Sequence, residues 1–145
     1  MNPEFKVFKP TLSKLNELRK GQTLPRDFYY DKILNVKTCY LVFVESEIAY
    51  IHWVFFKGDN SRFLILSDSV AELNYNTTMQ YFRGHRLSAM MMAYISKDLK
   101  ESGYRKVMGV IHEENIASIK CIKQAGFKEI TRIKALGPFH RKIIV

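Results

Sequence analysis

The sequence predicts a mixed α/β domain built around one sheet. Runs of β-branched and aromatic residues, such as "TCYLVFVESEIAYIHWVFF", alternate with segments whose apolar residues recur at helical spacing. These runs follow the order β, α, α, β, β, β, α, β, α, β, β, which suits layers of helix packed on a sheet. No internal repeat, low-complexity tract or Pro/Gly-rich linker divides the 145 residues, so residues 1–145 are expected to form one domain.

A first strand is expected at Phe5–Phe8. Two helical pieces follow, Thr11–Lys20 and Pro25–Asn35, broken at Gly21. Leu12, Leu15 and Leu18 repeat at helical spacing in the first, and Pro25 suits the first turn of the second, where a missing N–H costs nothing. Residues 38–56 read as two strands around a tight turn near Ser46. A polar connection, Lys57–Arg62, leads to a short strand at Phe63–Leu66. Val70–Thr78 is another strand, expected to carry Glu72, Asn74 and Asn76 on one face. Leu87, Met90, Met91, Tyr94, Ile95 and Leu99 form a helical apolar stripe in which Met90 and Met91 read as core, and Gly103 is placed to end that helix. "KVMGVI", Lys106–Ile111, reads as a buried strand. Asn115 opens a last helix with Ile116, Ile119 and Ile122 inward and Gly126 at its end. Strands over Lys128–Ala135 and Phe139–Val145 complete the expected order.

Composition narrows the functional classes. The N-terminal "MNPEFKVFKP" has no apolar core of a signal peptide, and stretches such as Tyr40–Val44 are far too short to cross a bilayer. Cys39 and Cys121 lie on segments that read as buried, so reduced thiols in a cytoplasmic protein are expected, with no membrane partner and no metal. The formal charge of +9 is spread along the chain rather than gathered in a tail. It is consistent with a small polyanionic ligand, while no nucleic-acid-binding motif accompanies it, so a basic nucleic-acid-binding module ranks last.

The stretch "QYFRGHRLSAMM" places Arg83, Gly84, His85 and Arg86 where a helix begins. The first N–H groups of a helix have no intrahelical acceptor, and the helix dipole adds partial positive charge there. A glycine before the helix lets successive N–H groups converge, and Arg83 and Arg86 add forked donors. That combination suits a phosphate or pyrophosphate.

The succession of strand, "YFRGHRLS", amphipathic helix, "SGY", buried strand and "EENIASIKCIKQAGF" resembles the GCN5-related N-acetyltransferase superfamily. The resemblance runs clearly from about Val70 to Phe127 and more weakly into the N-terminal helices and the closing hairpin. Asn115, Ser118, Gly126 and Phe127 match the later part of the signature. The earlier part matches at Arg83–Gly84, while Tyr81 stands at the first signature position and Arg86 replaces the second glycine. The resemblance implies a central mixed β-sheet whose parallel strands, Val70–Thr78 and Lys106–Ile111, splay apart, flanked by about four helices. It also implies acetyl-CoA as acyl donor, held by Thr78, Arg83, Gly84, His85, Arg86, Leu87, Ser88, Asn115 and Ser118.

The implied reaction is direct transfer of an acetyl or acyl group to an amine in a ternary complex. A main-chain N–H near Thr78 would polarise the thioester carbonyl. Glu72 is the candidate base, because an amine with a pKa of about 10.4 must lose a proton near neutral pH. A glycine at position 109 suits either close approach by a ligand or simple packing. Asn115 suits an N-cap as well as a cofactor contact. Where many family members carry a tyrosine acid, this chain has Ile122, so no acid is assigned. Phe28, Tyr29, Tyr30, Phe139 and His140 are candidates for lining the pocket of a small-molecule or peptide amine, and exposed strand edges make a homodimer an expectation. A coenzyme A-binding domain of the same fold without catalysis is the alternative that Arg86 and Ile122 keep open.

Overall fold

Two apolar layers sandwich one sheet, and the chain reaches this arrangement through strands buried on both faces. The structure, a computed structural model, describes residues 4–135 and 140–145. Its elements are β1 (Phe5–Phe8), α1 (Leu12–Arg19), a 3-10 turn at Arg26–Tyr29 leading into α2 (Tyr30–Ile33), β2 (Thr38–Val44), β3 (Glu47–Phe55), β4 (Leu64–Ile65) and β5 (Val70–Thr78). After a 3-10 turn at Gln80–Phe82 come α3 (Leu87–Glu101), β6 (Lys106–Gly109), α4 (Ile116–Gln124) and β7 (Ile143–Ile144). The main sheet has the order β1-β2-β3-β5-β6. All its pairings are antiparallel except β5 with β6, which run parallel.

One core lies between the sheet and α3. Tyr40, Val42, Val54, Ala71 and Leu73 meet Leu87, Met91, Met92, Ile95 and Leu99 there. The other lies beneath α1, where Leu15, Phe28 and Val36 pack on Leu41, Ile51, Trp53, Phe55 and Val70. Because β2 and β3 feed both layers, their sequences are continuous apolar runs rather than alternations. Each fully buried Leu, Ile or Phe here contributes roughly 1.5–3 kcal/mol relative to an exposed one.

Local chemistry fixes the helices. Thr11 caps α1, its hydroxyl accepting the Lys14 N–H at 3.2 Å. At the other end Arg19 is buried, donating to both oxygens of Asp31 at 2.7 and 3.0 Å and to the Phe28 carbonyl at 2.8 Å. This forked pair ties α1 to α2, and removing either partner would leave a buried charge uncompensated. Among the described residues, no helix is long and apolar enough to cross a membrane.

Several expectations change. The Pro25–Asn35 helix is a 3-10 turn followed by a single α-helical turn. The strand expected over Lys106–Ile111 ends at Gly109. Met90, read as core, is 48% exposed, whereas Met91 and Met92 are buried. Ile116 is 69% exposed, because α4 packs on the molecule mainly through Cys121, Ile122 and Ala125. Residues 128–135 form no strand, despite the alternating "KEITRIKA", and Ile130 is exposed. β-propensity is fulfilled only through pairing with a neighbour, and this segment pairs with no strand. Of the closing strand Phe139–Val145, Phe139 lies outside the described residues. Ile143–Ile144 does not return to the main sheet and pairs parallel with β4.

Two irregularities in β5 position the site. Its pairing with β6 runs from Val70↔Lys106 to Leu73↔Gly109 and then stops, while β5 continues to Thr78. On the other side, its register with β3 shifts between His52/Trp53. Opposite that shift, Tyr75 sits at φ +58°, a left-handed value that marks the extra residue of a β-bulge.

Candidate active site

The bulge divides what the sequence reading placed on one face. Glu72 and Asn74 stay on the α1 side, where the Asn74 amide donates to Glu72 Oε2 at 3.3 Å. Asn76 turns to the α3 side and donates to Ser88 Oγ at 2.8 Å and to Tyr50 Oη at 3.1 Å. An uninterrupted strand would have kept all three together. The extra residue reverses the phase, so Glu72, Asn74 and Asn76 do not share a face.

Beyond Leu73 the main chain of β5 has an open side. Met79 N–H donates to Ala49 O at 2.8 Å, and Thr77 is the register partner of Ile51. In an antiparallel ladder, hydrogen-bonded and non-bonded positions alternate. Thr77 therefore faces β3, and the N–H and C=O of Asn76 and Thr78 face the side from which β6 has withdrawn. The Thr78 carbonyl accepts from Arg83 Nε at 3.1 Å, which folds the arginine back over the end of the strand.

The loop after β5 gathers groups suited to an anion. Gly84 has φ +89° and Arg86 has φ +56°, two left-handed residues separated by His85. Arg86 is the N-cap of α3 and contributes no side-chain cap. The first helical bond of α3 runs from Met90 N to Arg86 O at 3.1 Å, so the N–H groups of Leu87, Ser88 and Ala89 precede it. Arg83, Gly84, His85 and Arg86 are exposed, whereas the Leu87 side chain is buried and leaves only its main chain for a ligand. At the start of α4, Asn115 caps the helix, its side chain accepting the Ser118 N–H at 3.2 Å.

Gly109 is explained by packing. A Cβ built on it would lie 2.8 Å from Ile122 Cδ1, so the isoleucine methyl occupies the space a side chain would need. Ile122, which stands at the position of the expected tyrosine, therefore covers the end of β6 with hydrocarbon.

The α1 side of β5 carries a different chemistry. Glu72 is fully buried, and Ser61 Oγ donates to its Oε1 at 2.5 Å. Ser61 Oγ itself accepts the Leu64 N–H at 3.2 Å. Burial pushes the Glu72 carboxyl up, opposed by the hydrogen bonds from Ser61 and Asn74 and by the charge of Lys142. The structure thus places Glu72 below the open end of β5 rather than in it.

Nearer the opening, Tyr75 packs against Tyr30 with ring centroids 4.7 Å apart and against Phe55 at 5.9 Å. Asp27 accepts a hydrogen bond from Thr77 Oγ1, and its carbonyl accepts from Trp53 Nε1 at 2.6 Å. Burial and a hydrogen bond to Asp27 push the Tyr30 phenol up to about 12. Tyr29 lies instead over the Arg19 guanidinium at 4.9 Å, and Phe28 is core. His140 donates from Nε2 to Arg62 O at 2.8 Å and packs on Phe63, away from this cluster.

Asp27, Thr77 and Tyr75 were missed in the sequence because only the aromatics of "DFYYDK" stood out, and nothing there signals a partner fifty residues away. Tyr50 and His52 were legible in principle, since "AYIHWV" places them two residues apart on one strand face.

No protein-family model matches the chain, and no curated protein matches it by sequence. Solved structures do. An aminoglycoside N-acetyltransferase, AAC(6')-Iy in complex with CoA, superposes with a TM-score of 0.67 at 18% identity, over 98% of this chain and 97% of that one. The aminoglycoside 6'-N-acetyltransferase AAC(6')-Ih from Acinetobacter baumannii gives a TM-score of 0.63 at 12% identity, over 92% and 97%. A predicted acetyltransferase with acetyl-CoA from Clostridium acetobutylicum gives 0.59 at 16%, over 92% and 96%. What they share with this chain is the course of the backbone over more than nine-tenths of its length. This chain has the fold of the GCN5-related N-acetyltransferases.

Proposed function

We propose that the protein transfers an acetyl or other acyl group from acetyl-CoA to an amine by direct attack. The observation that carries this reading is the free end of β5, which lies between two faces of opposite character. On the α3 side lie Arg83, Arg86 and the first N–H groups of α3, suited to a pyrophosphate. On the α1 side lie Asp27, Tyr30, Tyr75 and the buried Glu72, suited to an amine. A thioester brought between them would supply an activated carbonyl.

The chain's own groups then divide the work. The N–H groups of Thr78 and Asn76 have no strand partner and point into the opening, where they stabilise negative charge developing on a carbonyl oxygen. Arg83, bonded to Thr78 O, holds the strand end against the loop. Asp27 orients a protonated or neutral amine beside Tyr30 and Tyr75. Glu72 takes the amine proton through a relaying water positioned by Asn74 rather than by contact, because both its oxygens are engaged and buried. A thiol pKa of about 8.5 makes the thiolate a fair leaving group without a tyrosine acid.

The first experiment is calorimetry of acetyl-CoA with the wild type, Arg83→Ala and Gly84→Asp. Wild type is expected to bind, Arg83→Ala to bind more weakly, and the carboxylate variant, still folded, not to bind. No binding of acetyl-CoA or coenzyme A by the folded wild type would overturn the reading. Glu72→Gln is then expected to lower turnover sharply without changing acetyl-CoA affinity, and unchanged turnover would remove Glu72 from the reaction.

The second reading, a coenzyme A-binding domain without catalysis, is favoured by the hydrocarbon cover that Ile122 places over Gly109. It predicts acetyl-CoA binding with no thiol release for any amine.

A further inference from the structure

Asn76 sits in a hydrogen-bond chain whose direction is set from its buried end. His52 is 2% exposed, and burial holds its ring neutral, pushed down to about 3. Its Nδ1 lies 2.6 Å from Tyr50 Oη, and in the tautomer with the ring proton on Nε2 it accepts the phenol proton. Tyr50 is fully buried, and its oxygen in turn accepts from the Asn76 amide at 3.1 Å. The second amide proton of Asn76 goes to Ser88 Oγ at 2.8 Å. A carboxamide has two donors and one acceptor oxygen. Both donors are occupied on the protein side, so the oxygen is the group left over.

That oxygen belongs to a half-buried residue at the open end of β5. It stands two residues, about 6–7 Å, from Thr78, whose main chain faces the same opening. Ser88 lies on the first turn of α3, directly after the Arg83–Leu87 loop. Any ligand with its phosphates at that loop and its reactive end between β5 and β6 must pass Asn76.

We propose that the Asn76 side-chain oxygen accepts an amide N–H from the pantetheine arm of the acyl donor, with Tyr50, His52 and Ser88 as positioning residues that hold it in that orientation. The proposal rests on the acyl-CoA reading above and adds a side-chain contact to the arm itself. Because the buried chain consumes both donors, the site prefers an arm bearing amide N–H groups over one bearing only acceptors. A carboxamide free to turn over would offer either group and lose that preference.

The test separates the arm from the phosphates. Calorimetry on the full chain compares coenzyme A with adenosine 3',5'-bisphosphate, which has no pantetheine, for wild type, Asn76→Ala and Tyr50→Phe. Thermal melts check folding. The expected result is a roughly tenfold loss of coenzyme A affinity in Asn76→Ala, the scale of one hydrogen bond, and a several-fold loss in Tyr50→Phe. Adenosine 3',5'-bisphosphate affinity stays unchanged in both.

Unchanged coenzyme A affinity in Asn76→Ala overturns the proposal. So does an equal loss for both ligands, which would mean that the network only supports the start of α3. Should Asn76→Ala fail to fold, Tyr50→Phe, which removes a single oxygen, decides the matter by the same comparison. A wild type that binds neither ligand overturns the acyl-CoA reading itself, an outcome distinct from loss of the Asn76 contact alone.

Discussion

At Arg86 a side chain occupies a backbone conformation that ordinarily belongs to glycine. Its φ of +56° and ψ of +25° are left-handed. For a residue with a Cβ that geometry costs roughly 1–2 kcal/mol. The cost is borne because the chain must turn from the 3-10 turn at Gln80–Phe82 into α3 with Phe82 and Leu87 both buried. Arg86→Gly is therefore expected to be more stable than Arg86→Ala by about 1 kcal/mol in urea unfolding, since both lose the guanidinium and only one relieves the strain. Equal stability would mean that the loop relaxes without the arginine. The anion loop was legible from Arg83, Gly84 and the apolar stripe behind them. The conformation of Arg86 was not, because arginine has no preference for left-handed backbone and its geometry is imposed by closure of the loop. A second residue, Asp27, carries a prediction of a different kind. If it orients the amine, Asp27→Asn raises KM for the acceptor about tenfold or more while leaving KM for acetyl-CoA within twofold. A parallel rise in both constants would instead mark loss of the Thr77 contact and general disorder of β5.

Among the elements, β5 shows where sequence patterning stops being informative. Its boundaries, Val70–Thr78, are those the residues predict, and the helices α3 and α4 follow with their expected ends, α4 with its expected Asn115 cap. The bulge at Tyr75 has no signature in "AELNYNTT", because a tyrosine at φ +58° is an outlier held by its packing on Tyr30 and Phe55 and by its N–H donating to Asn74 Oδ1 at 2.9 Å. One extra residue was enough to put Glu72 and Asn76 on opposite sides of the sheet and so to change what each can do. The missing strand over residues 128–135 is likewise decided by tertiary context, a good strand sequence that pairs with no neighbour. The burial of Glu72 in β5 has a measurable consequence. Its carboxyl is raised above the ordinary value of 4.5 by desolvation. Its favourable contribution is then complete below pH 4.5 and is lost as pH rises through the folded-state value, where the unfolded chain has already released the proton. Glu72→Gln removes the charge and keeps one acceptor oxygen for the Asn74 amide, while its NH2 group donates to Ser61 Oγ, reversing that bond. It is expected to gain stability over wild type as pH rises from 4.5 to 7.5, by urea unfolding at fixed ionic strength. A constant difference across that range would mean that Glu72 ionises in the folded protein as freely as in the unfolded one.

For the whole molecule, β3 is the element that couples the two cores, and it carries the opposite pH dependence. His52 lies on the α3 face with Tyr50, while Ile51 and Trp53, on either side of it in sequence, serve the core beneath α1. A protonated ring at this position would be a buried cation whose Nδ1 could no longer accept the Tyr50 proton, and desolvation accordingly lowers its value to about 3 from 6.5. The sign is the reverse of that for Glu72. The stability His52 confers is fully present above pH 6.5 and is lost as pH falls toward 3, because over that interval the unfolded chain binds a proton that the native protein refuses. The slope approaches about 1.4 kcal/mol per pH unit, and the whole interval amounts to something on the order of 5 kcal/mol, a large fraction of what holds a domain of this size together. His52→Gln offers an amide oxygen in place of Nδ1 and has no charge to gain. In urea unfolding at pH 7, 6, 5 and 4 it is expected to be less stable than wild type at neutral pH, where the packing of the imidazole is lost. The difference then narrows and reverses as pH falls. Parallel curves for the two proteins would show that the ring takes up its proton as readily in the folded state as in the unfolded one, and the direction assigned to the chain from His52 to Asn76 would lose its support.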